Sequence, residues 1–343
     1  MKEKRFGLFV LEVLAVVAVL CGVVAFCDAR GIFNPDDTNN HIAKKWHYLY
    51  QYASQGKPVD ILVIGNSHTY TGLVPKHIKK TLGQNCFLLA APGSTMDDCR
   101  YMLEEALTLF TPKLVVLETY PIYDYDQKRL PTQNLSDQFT SFAARRNTGI
   151  KLKSTLSLFR VDDVPFAWSS TLRNHGLIFD DPLLLDRNIH HPGGMQYDPN
   201  EDYDGKYSRF TSGLTENTLS RYRTEGAPVD GSAVVPGKYA VKATRRMVDM
   251  CHAKGIPVMF LTIPMYREHV SAADRWHENL VPVIAKLPWL DLQDPQYYAL
   301  FDPDSFEDTY NANQHLSNVG AIKATDVLEQ YIDYLRISGY IKL

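Results

Sequence analysis

The amino-acid sequence predicts an α/β protein, in which a doubly wound parallel sheet lies between two layers of helices as a three-layer α/β/α fold. Short, continuously apolar runs recur along the chain, and amphipathic segments of helical length separate them. Continuous apolar runs are typical of parallel strands that are buried on both faces, and alternation with helices favours a parallel sheet. The predicted strands are residues 60–65, 86–90, 113–119, 257–264 and 289–292, and the helices between or after them are 75–82, 96–110, 237–254, 271–286 and 318–336.

The amino-terminal segment, residues 6–27, predicts one transmembrane helix. It contains a single charged residue, Glu12, and its length suffices, at 1.5 Å per residue, to cross a hydrocarbon core of roughly 30 Å. The basic side chains of residues 1–5 place this tail in the cytoplasm and the rest of the chain outside, at the cell membrane. A cleaved signal peptide is the alternative, but the apolar run is long for one and no Ala-x-Ala site follows it.

Beyond the membrane segment, we expect a spacer over residues 28–57 and one extracytoplasmic domain over residues 58–343. Residues 126–235 interrupt the alternation of strands and helices, and they are rich in Asp, Tyr, Asn, Pro and Gly. We interpret this stretch as a long insertion, because loops of such length in compact domains are usually functional or disordered. Located near the carboxyl ends of the strands, it would shape a substrate groove.

Charge and ligand spacing exclude several classes of function. The 343-residue chain has a formal net charge of −3, so we expect no nucleic-acid partner. His190 and His191 have no cysteine or carboxylate at zinc-ligand spacing. Residues 198–205 resemble half of a calcium loop, but Thr211 stands where the closing glutamate is needed. We therefore expect neither a metal nor a cofactor.

Ser67 is the candidate nucleophile. It follows the apolar run 61–64, and Gly65 and Asn66 allow a tight turn before a helix whose first turn suits Pro75. A serine between a strand and a helix lies at the carboxyl edge of the sheet, where open α/β sheets bind their ligands. The alternative is an ordinary helix-capping serine.

His315, which opens the segment HLSNVGA before the last helix, is the candidate base. An imidazole can accept the serine proton near neutral pH, and a third group that accepts from the ring would fix its tautomer. Asp308 ranks first for this third role and Asn313 second, and a backbone carbonyl is a further possibility.

These blocks resemble the SGNH (GDSL-like) hydrolase superfamily. Residues 65–67, Gly-Asn-Ser, look like the first block of this superfamily. Gly93 in LLAAPGST looks like the second block, and His315 looks like the histidine of the last block. Two features depart from the pattern: Ala312 stands where the family has an aspartate three residues before the histidine, and LVVLETYPIYD lacks the third block, Gly-x-Asn-Asp.

Within the superfamily, the chain is similar to the membrane-anchored branch of teichoic-acid D-alanylation and alginate O-acetylation accessory proteins. The resemblance covers residues 58–125 and 236–336 and implies a flavodoxin-like SGNH fold. It also implies an esterase or acyltransferase that acts on O-acyl groups, most simply acetyl, of a cell-surface glycan, beside a membrane-bound O-acyltransferase. The alternatives are an esterase or lipase for small esters and a catalytically silent scaffold that binds a glycan or a partner.

The resemblance further implies an oxyanion hole made by the backbone N–H groups of Ser67 and Gly93. Three other residues are candidates for substrate binding. Asn66 could replace the missing donor of the third block, His68 could contact the acyl donor, and Tyr120 ends the third strand. Ordinary packing is the alternative for each of these side chains.

Overall fold

A computed structural model describes most of the chain, and its residues form two compact units. One unit comprises residues 1–44 and 159–201, and the other comprises residues 45–158 and 202–343 and contains the sheet. The described residues are 2–33, 41–124, 135–180, 183, 212–227, 229–230, 235–271, 274–284, 286–310 and 314–343.

The second unit is built on a five-stranded sheet in which every pair of neighbouring strands is parallel. Its strands are β1 (Ile61–Gly65), β2 (Cys86–Ala90), β3 (Leu114–Glu118), β5 (Val258–Thr262) and β7 (Trp289–Asp291). A separate pair is formed by β4 (Val229–Asp230) and β6 (Val270–Ser271). The main sheet has the order β2-β1-β3-β5-β7, which is the flavodoxin-like order of a doubly wound sheet. The predicted fold class is therefore confirmed.

Helices account for most of the remaining described residues. In chain order they are α1 (Lys2–Ala29), α2 (His41–Ser54), α3 (Ser67–Gly72), α4 (Pro75–Leu82), α5 (Met96–Leu109), α6 (Tyr120–Asp124), α7 (Leu135–Ala144), α8 (Thr148–Leu158), α9 (Val164–Trp168), α10 (Ser170–Asn174), α11 (Glu216–Glu225), α12 (Lys238–His252), α13 (Asp274–Ile284), α14 (Pro295–Tyr298) and α15 (Asn318–Ile337). Short 3₁₀ turns cover Val161–Asp163, His175–Phe179 and Pro303–Ser305. The described parts of the predicted insertion are thus largely helical.

Helices cover both faces of the sheet. Ile61 and Val63 of β1 belong to one apolar cluster with Ile78 of α4 and Leu328 of α15. Helix α5, which contributes nothing to that cluster, packs against β1 and α12. Because successive strand residues point to opposite faces, the two helical layers bury alternate residues of the same strands. This explains why the strands are continuously apolar in sequence.

Helix α1 belongs to the first unit and contains the predicted membrane segment. Its stretch Arg5–Ala29 is long and apolar enough to cross a membrane, and none of it is buried inside the protein. An apolar helix that remains this exposed has the character expected of a helix that contacts lipid. Its orientation and the identity of the membrane remain predictions from sequence.

Candidate active site

Ser67 is the first residue of α3 and directly follows the turn at the carboxyl end of β1. The side chain that caps this helix belongs to Asn66, whose Oδ1 accepts a hydrogen bond from the backbone N–H of His68 at 3.1 Å. Ser67 is therefore not the capping serine that the alternative interpretation requires. Its side chain is half-buried, at the edge of the sheet where ligands bind in this class of fold.

Gly65 makes this turn possible because no side chain would fit at its position. A Cβ atom there would lie 2.0 Å from Thr69 Oγ1 and 2.8 Å from the Cβ of Glu118. The close approach places the start of α3 against the end of β3. Steric fit alone thus explains why residue 65 is a glycine, whatever the chemical role of the Gly-Asn-Ser block.

The side chain that orients His315 is Glu307. Its Oε1 accepts hydrogen bonds from His315 Nδ1 at 3.1 Å and from the backbone N–H of His315 at 2.9 Å. The backbone N–H of Glu307 donates in turn to the carbonyl of His315 at 2.9 Å, next to an antiparallel bridge between Phe306 and Leu316. Glu307 is buried and His315 is nearly so. The pair has the arrangement in which a carboxylate fixes the histidine tautomer and stabilises an imidazolium.

Asp308 has a different role from the one expected. Its Oδ1 accepts from the backbone N–H of Thr215 at 3.1 Å, from the Thr215 hydroxyl at 3.1 Å and from the Thr218 hydroxyl at 2.6 Å. Burial would raise the pKa of this carboxyl, but the hydrogen bonds from Thr218 and Thr215 outweigh burial and lower it. Asp308 thus secures the start of α11, and we replace it by Glu307 as the orienting acid. Asn313, the second choice, lies outside the described residues.

Several solved structures resemble this chain, and two of them carry names that describe their class. One is a putative acylhydrolase from Bacteroides fragilis, with 13% sequence identity, a TM-score of 0.34, and coverage of 86% of this chain and 98% of that chain. The other is a GDSL-like lipase from Bacteroides thetaiotaomicron, with 12% identity, a TM-score of 0.35, and coverage of 86% and 99%. No family model matches the chain, and no curated protein matches it. At these identities and scores we infer no chemistry from the two structures.

The ring of His315 lies close to His68, the second residue of α3. The ring centroids of His68 and His315 are 4.9 Å apart, and the His68 ring stacks on Tyr120 at 4.0 Å. Ser67 precedes His68 in the chain, so the Cα atoms of these two residues are about 3.8 Å apart. The rings of His68, Tyr120 and His315 therefore lie together, and the pairing of the Ser67 hydroxyl with the His315 ring stays a prediction.

The His68 ring is held in its neutral form. It is fully buried, and burial lowers its pKa well below the usual value, with further lowering from His315 and His269. Within the described part of the chain, neither ring nitrogen has a hydrogen-bond partner. A buried, unpartnered polar group is costly, and the neutral ring offers one donor and one acceptor that a bound molecule could satisfy.

Gly93 lies at the same edge of the sheet as Ser67. Gly65 at the end of β1 pairs with Ala90 at the end of β2, and Gly93 stands in the turn three residues later with a left-handed φ of +61°. The turn is held by Gln138, whose Nε2 donates to the carbonyl of Pro92 at 2.6 Å. Glycine adopts this conformation without steric cost, so the turn itself explains the residue, whether or not its N–H binds an oxyanion.

The loop that carries His315 is fixed by a buried polar network that the sequence did not reveal. The Tyr222 hydroxyl donates to the carbonyl of Thr309 at 2.8 Å and accepts from Gln314 Nε2 at 3.1 Å. The amide oxygen of Gln314 accepts from the backbone N–H of Tyr266 at 2.9 Å. These bonds hold the residue next to His315 and thereby restrict the position of the imidazole.

One group of side chains could hold a metal ion by its chemistry. Among the described residues, ligand atoms of His77, Asp326 and Glu329 lie within 4.8 Å of one another. His77 Nδ1 is 2.8 Å from a Glu329 oxygen, and Nε2 is 3.6 Å from an Asp326 oxygen, so direct pairing accounts for the cluster. The two sequence features that resemble metal sites, at 190–191 and 198–205, lie outside the described residues.

Proposed function

We propose that the chain is a membrane-anchored serine esterase or O-acyltransferase in which Ser67, His315 and Glu307 act together. The observation that carries this proposal is the buried Glu307–His315 hydrogen bond of 3.1 Å, located beside the residue that follows Ser67. Such a partner fixes the tautomer in which a histidine can serve as a base for a serine hydroxyl. We propose that Glu307 is this partner, in place of Asp308.

The proposed reaction has two halves. Ser67 Oγ attacks the acyl carbonyl carbon while His315 Nε2 takes the hydroxyl proton, and a tetrahedral oxyanion forms. The bond to the leaving oxygen then breaks as His315 returns the proton to it, which leaves an acyl ester on Ser67. In the second half, a water or a sugar hydroxyl gives its proton to His315 and attacks the ester, so that Ser67 regains its proton on release. Glu307 stabilises the imidazolium in each half.

We assign the oxyanion to three donors at the edge of the sheet. The backbone N–H groups of Ser67 and Gly93 are two of them, and the side-chain amide of Asn66 is the third. Because Asn66 Oδ1 is occupied by the His68 N–H, its Nδ2 is left as a donor, and in the described structure this buried atom has no partner. Removal of one such donor typically costs about 10²–10³ in rate.

For the substrate, we propose O-acetyl groups of a cell-surface glycan, with a membrane-bound O-acyltransferase as the partner that supplies the acyl group. The resemblance in the Gly-Asn-Ser and His-Leu-Ser blocks supports this choice, and so does the apolar helix α1, which would keep the domain at the outer face of the cell membrane. We further propose that His68 and Tyr120 contact the bound acyl group or sugar.

Labelling with a fluorophosphonate tests the nucleophile. The full chain, purified in detergent, should form one covalent adduct that peptide mass spectrometry assigns to Ser67. Ser67→Ala should abolish the adduct, while Ser338→Ala, which removes an exposed serine at the end of α15, should not change it. An adduct on another residue, or none under conditions that label a known serine esterase, would refute the proposal.

Substrate choice needs a separate experiment. Acetate release from an O-acetylated polysaccharide is compared with hydrolysis of p-nitrophenyl acetate by the same preparation, and Ser67→Ala gives the background for both. We expect the higher kcat/KM with the polysaccharide, or transfer of acetyl to an added glycan. Fast hydrolysis of the small ester with no action on any glycan would favour an ordinary esterase.

A further inference from the structure

A second region of the molecule, in the unit that contains α1, exposes several large apolar side chains. Over residues 161–183, six large apolar side chains are between 39% and 83% exposed. We call them the juxtamembrane apolar surface: Val161, Phe166, Trp168, Leu177, Phe179 and Leu183. Clusters of exposed apolar side chains on a folded chain mark surfaces that contact a partner or a membrane.

This surface is attached to the end of the apolar helix. Asp28, the second-last residue of α1, accepts hydrogen bonds through Oδ1 from the Thr171 backbone N–H at 2.7 Å and from the Ser170 hydroxyl at 3.0 Å. Asn174 Nδ2 donates to the carbonyl of Phe33, just after α1, at 2.9 Å. Three hydrogen bonds therefore hold α10 against the point where the predicted membrane span ends.

The aromatic side chains lie close to this attachment and face outward. Trp168 is two residues from Ser170, so no more than about 7 Å of backbone separates them. In α9, Ala167 is buried while its neighbours Phe166 and Trp168 are each 42% exposed. Both rings thus keep a large part of their surface exposed near the end of α1.

We infer that the juxtamembrane apolar surface inserts into the interfacial region of the same bilayer that α1 spans. Tryptophan and other amphipathic aromatic residues are enriched at that depth, where an apolar ring meets polar headgroups. Continuity with α1 selects lipid over a second copy or another protein, because a side chain so near the end of a membrane span already lies at the headgroup level. The inference rests on insertion of α1 and is independent of the acyl chemistry.

Tryptophan fluorescence offers a direct test, because the four tryptophans differ in exposure. Trp46 and Trp276 are buried and Trp289 is half-buried, whereas Trp168 is exposed, and α1 contains no tryptophan. The full chain is reconstituted in phosphatidylcholine nanodiscs whose acyl chains are either brominated or unmodified. Brominated chains quench only the indoles that contact them.

We expect brominated lipid to remove the part of the emission that Trp168 contributes. Trp168→Phe should abolish the difference between the two lipids, and aqueous iodide should quench Trp168 weakly. In that background, Phe179→Trp should restore quenching by brominated lipid. Ile337→Trp, at a position 74% exposed at the end of α15, is the matched control and should not restore it.

Three results would overturn the inference. If iodide quenches Trp168 freely and brominated lipid does not, Trp168 is an ordinary surface residue in water. Protection from both quenchers would show that protein, not lipid, covers the surface. Equal quenching of tryptophan at positions 179 and 337 would show that this surface has no special relation to the bilayer.

Discussion

Replacement of Glu307 by glutamine removes the carboxylate charge with almost no change in shape. The backbone N–H of His315 can only donate, and it lies 2.9 Å from Glu307 Oε1, so the amide oxygen of the glutamine should take the same position. That oxygen can still accept from Nδ1, and the tautomer with a basic Nε2 is kept. Glu307→Gln therefore isolates the electrostatic contribution of the carboxylate to the imidazolium.

The size of that contribution follows from the geometry of the pair. With Nδ1 and Oε1 at 3.1 Å, the centres of charge are roughly 4 Å apart, which gives about 4 kcal/mol at an effective dielectric constant of about 20. A barrier raised by that amount slows the reaction about 10³-fold. Glu307→Ala should be slower still, because it also leaves the ring without an orienting group and the backbone N–H of His315 without its acceptor.

The assay is the second-order rate of fluorophosphonate labelling at neutral pH, which depends on activation of Ser67 and not on the acyl acceptor. Asp308→Asn is the matched control, since its carboxylate contacts Thr215 and Thr218 and is one residue away in sequence. It should label within a few-fold of the native rate. Native-like labelling by Glu307→Gln, together with loss of labelling in Asp308→Asn, would refute our assignment of the acid.

Three further predictions concern folding, each checked by the thermal unfolding midpoint in detergent. Gly65→Ala should destabilise by about 1–3 kcal/mol through the clash with Thr69 and slow Ser67 labelling, and an unchanged midpoint would contradict the steric argument. Burial lowers the pKa of His68, so as the pH falls below about 6.5 the unfolded chain protonates this imidazole before the folded chain does, and the folded state loses stability. His68→Phe should reduce this loss of stability on acidification. An equally steep loss in the variant would exclude His68 as its source. Arg145 and Asp98 form a fully buried ion pair, so Arg145→Met should lower the free energy of unfolding by about 3–5 kcal/mol. Replacement of both residues by apolar ones should recover most of that stability. Equal losses of stability in the single and double variants would argue against the pairing.

The strands of the sheet were predictable because their signal is local. Buried parallel strands need apolar side chains on both faces, so each strand is visible in the sequence as a short, continuous apolar run. The predicted runs 60–65 and 86–90 correspond to Ile61–Gly65 and Cys86–Ala90, and 289–292 corresponds to Trp289–Asp291. The differences of one residue arise where the ladder of hydrogen bonds ends.

Ser67 and His315 could be recognised as candidates because each lies next to a strand or helix boundary, but the acid could not. Its position depends on an antiparallel pairing in which Phe306 opposes Leu316, so that Glu307 opposes His315. Nothing local in sequence marks that register, and Glu307 lies eight residues before His315, whereas the Asp-x-x-His motif has a spacing of three. A search for carboxylates within a short hairpin before His315 would have included Glu307.

The attachment of residues 159–180 to α1 was also not predictable. Helices α9 and α10 have five residues each, and helices so short are not stable by themselves. Their formation depends on tertiary contacts such as the hydrogen bonds from Ser170 and Thr171 to Asp28. The sequence pattern therefore indicated only a long insertion.

The most direct test of the account is to trap the acyl-enzyme itself. The full chain is mixed with p-nitrophenyl acetate, quenched in acid within the first turnover, digested and analysed by mass spectrometry. We expect one acetyl group on the peptide that contains Ser67, absent in Ser67→Ala and formed far more slowly in His315→Ala and Glu307→Ala. An acetyl group on any other residue, or a Ser67 ester that forms equally fast without the imidazole, would contradict it.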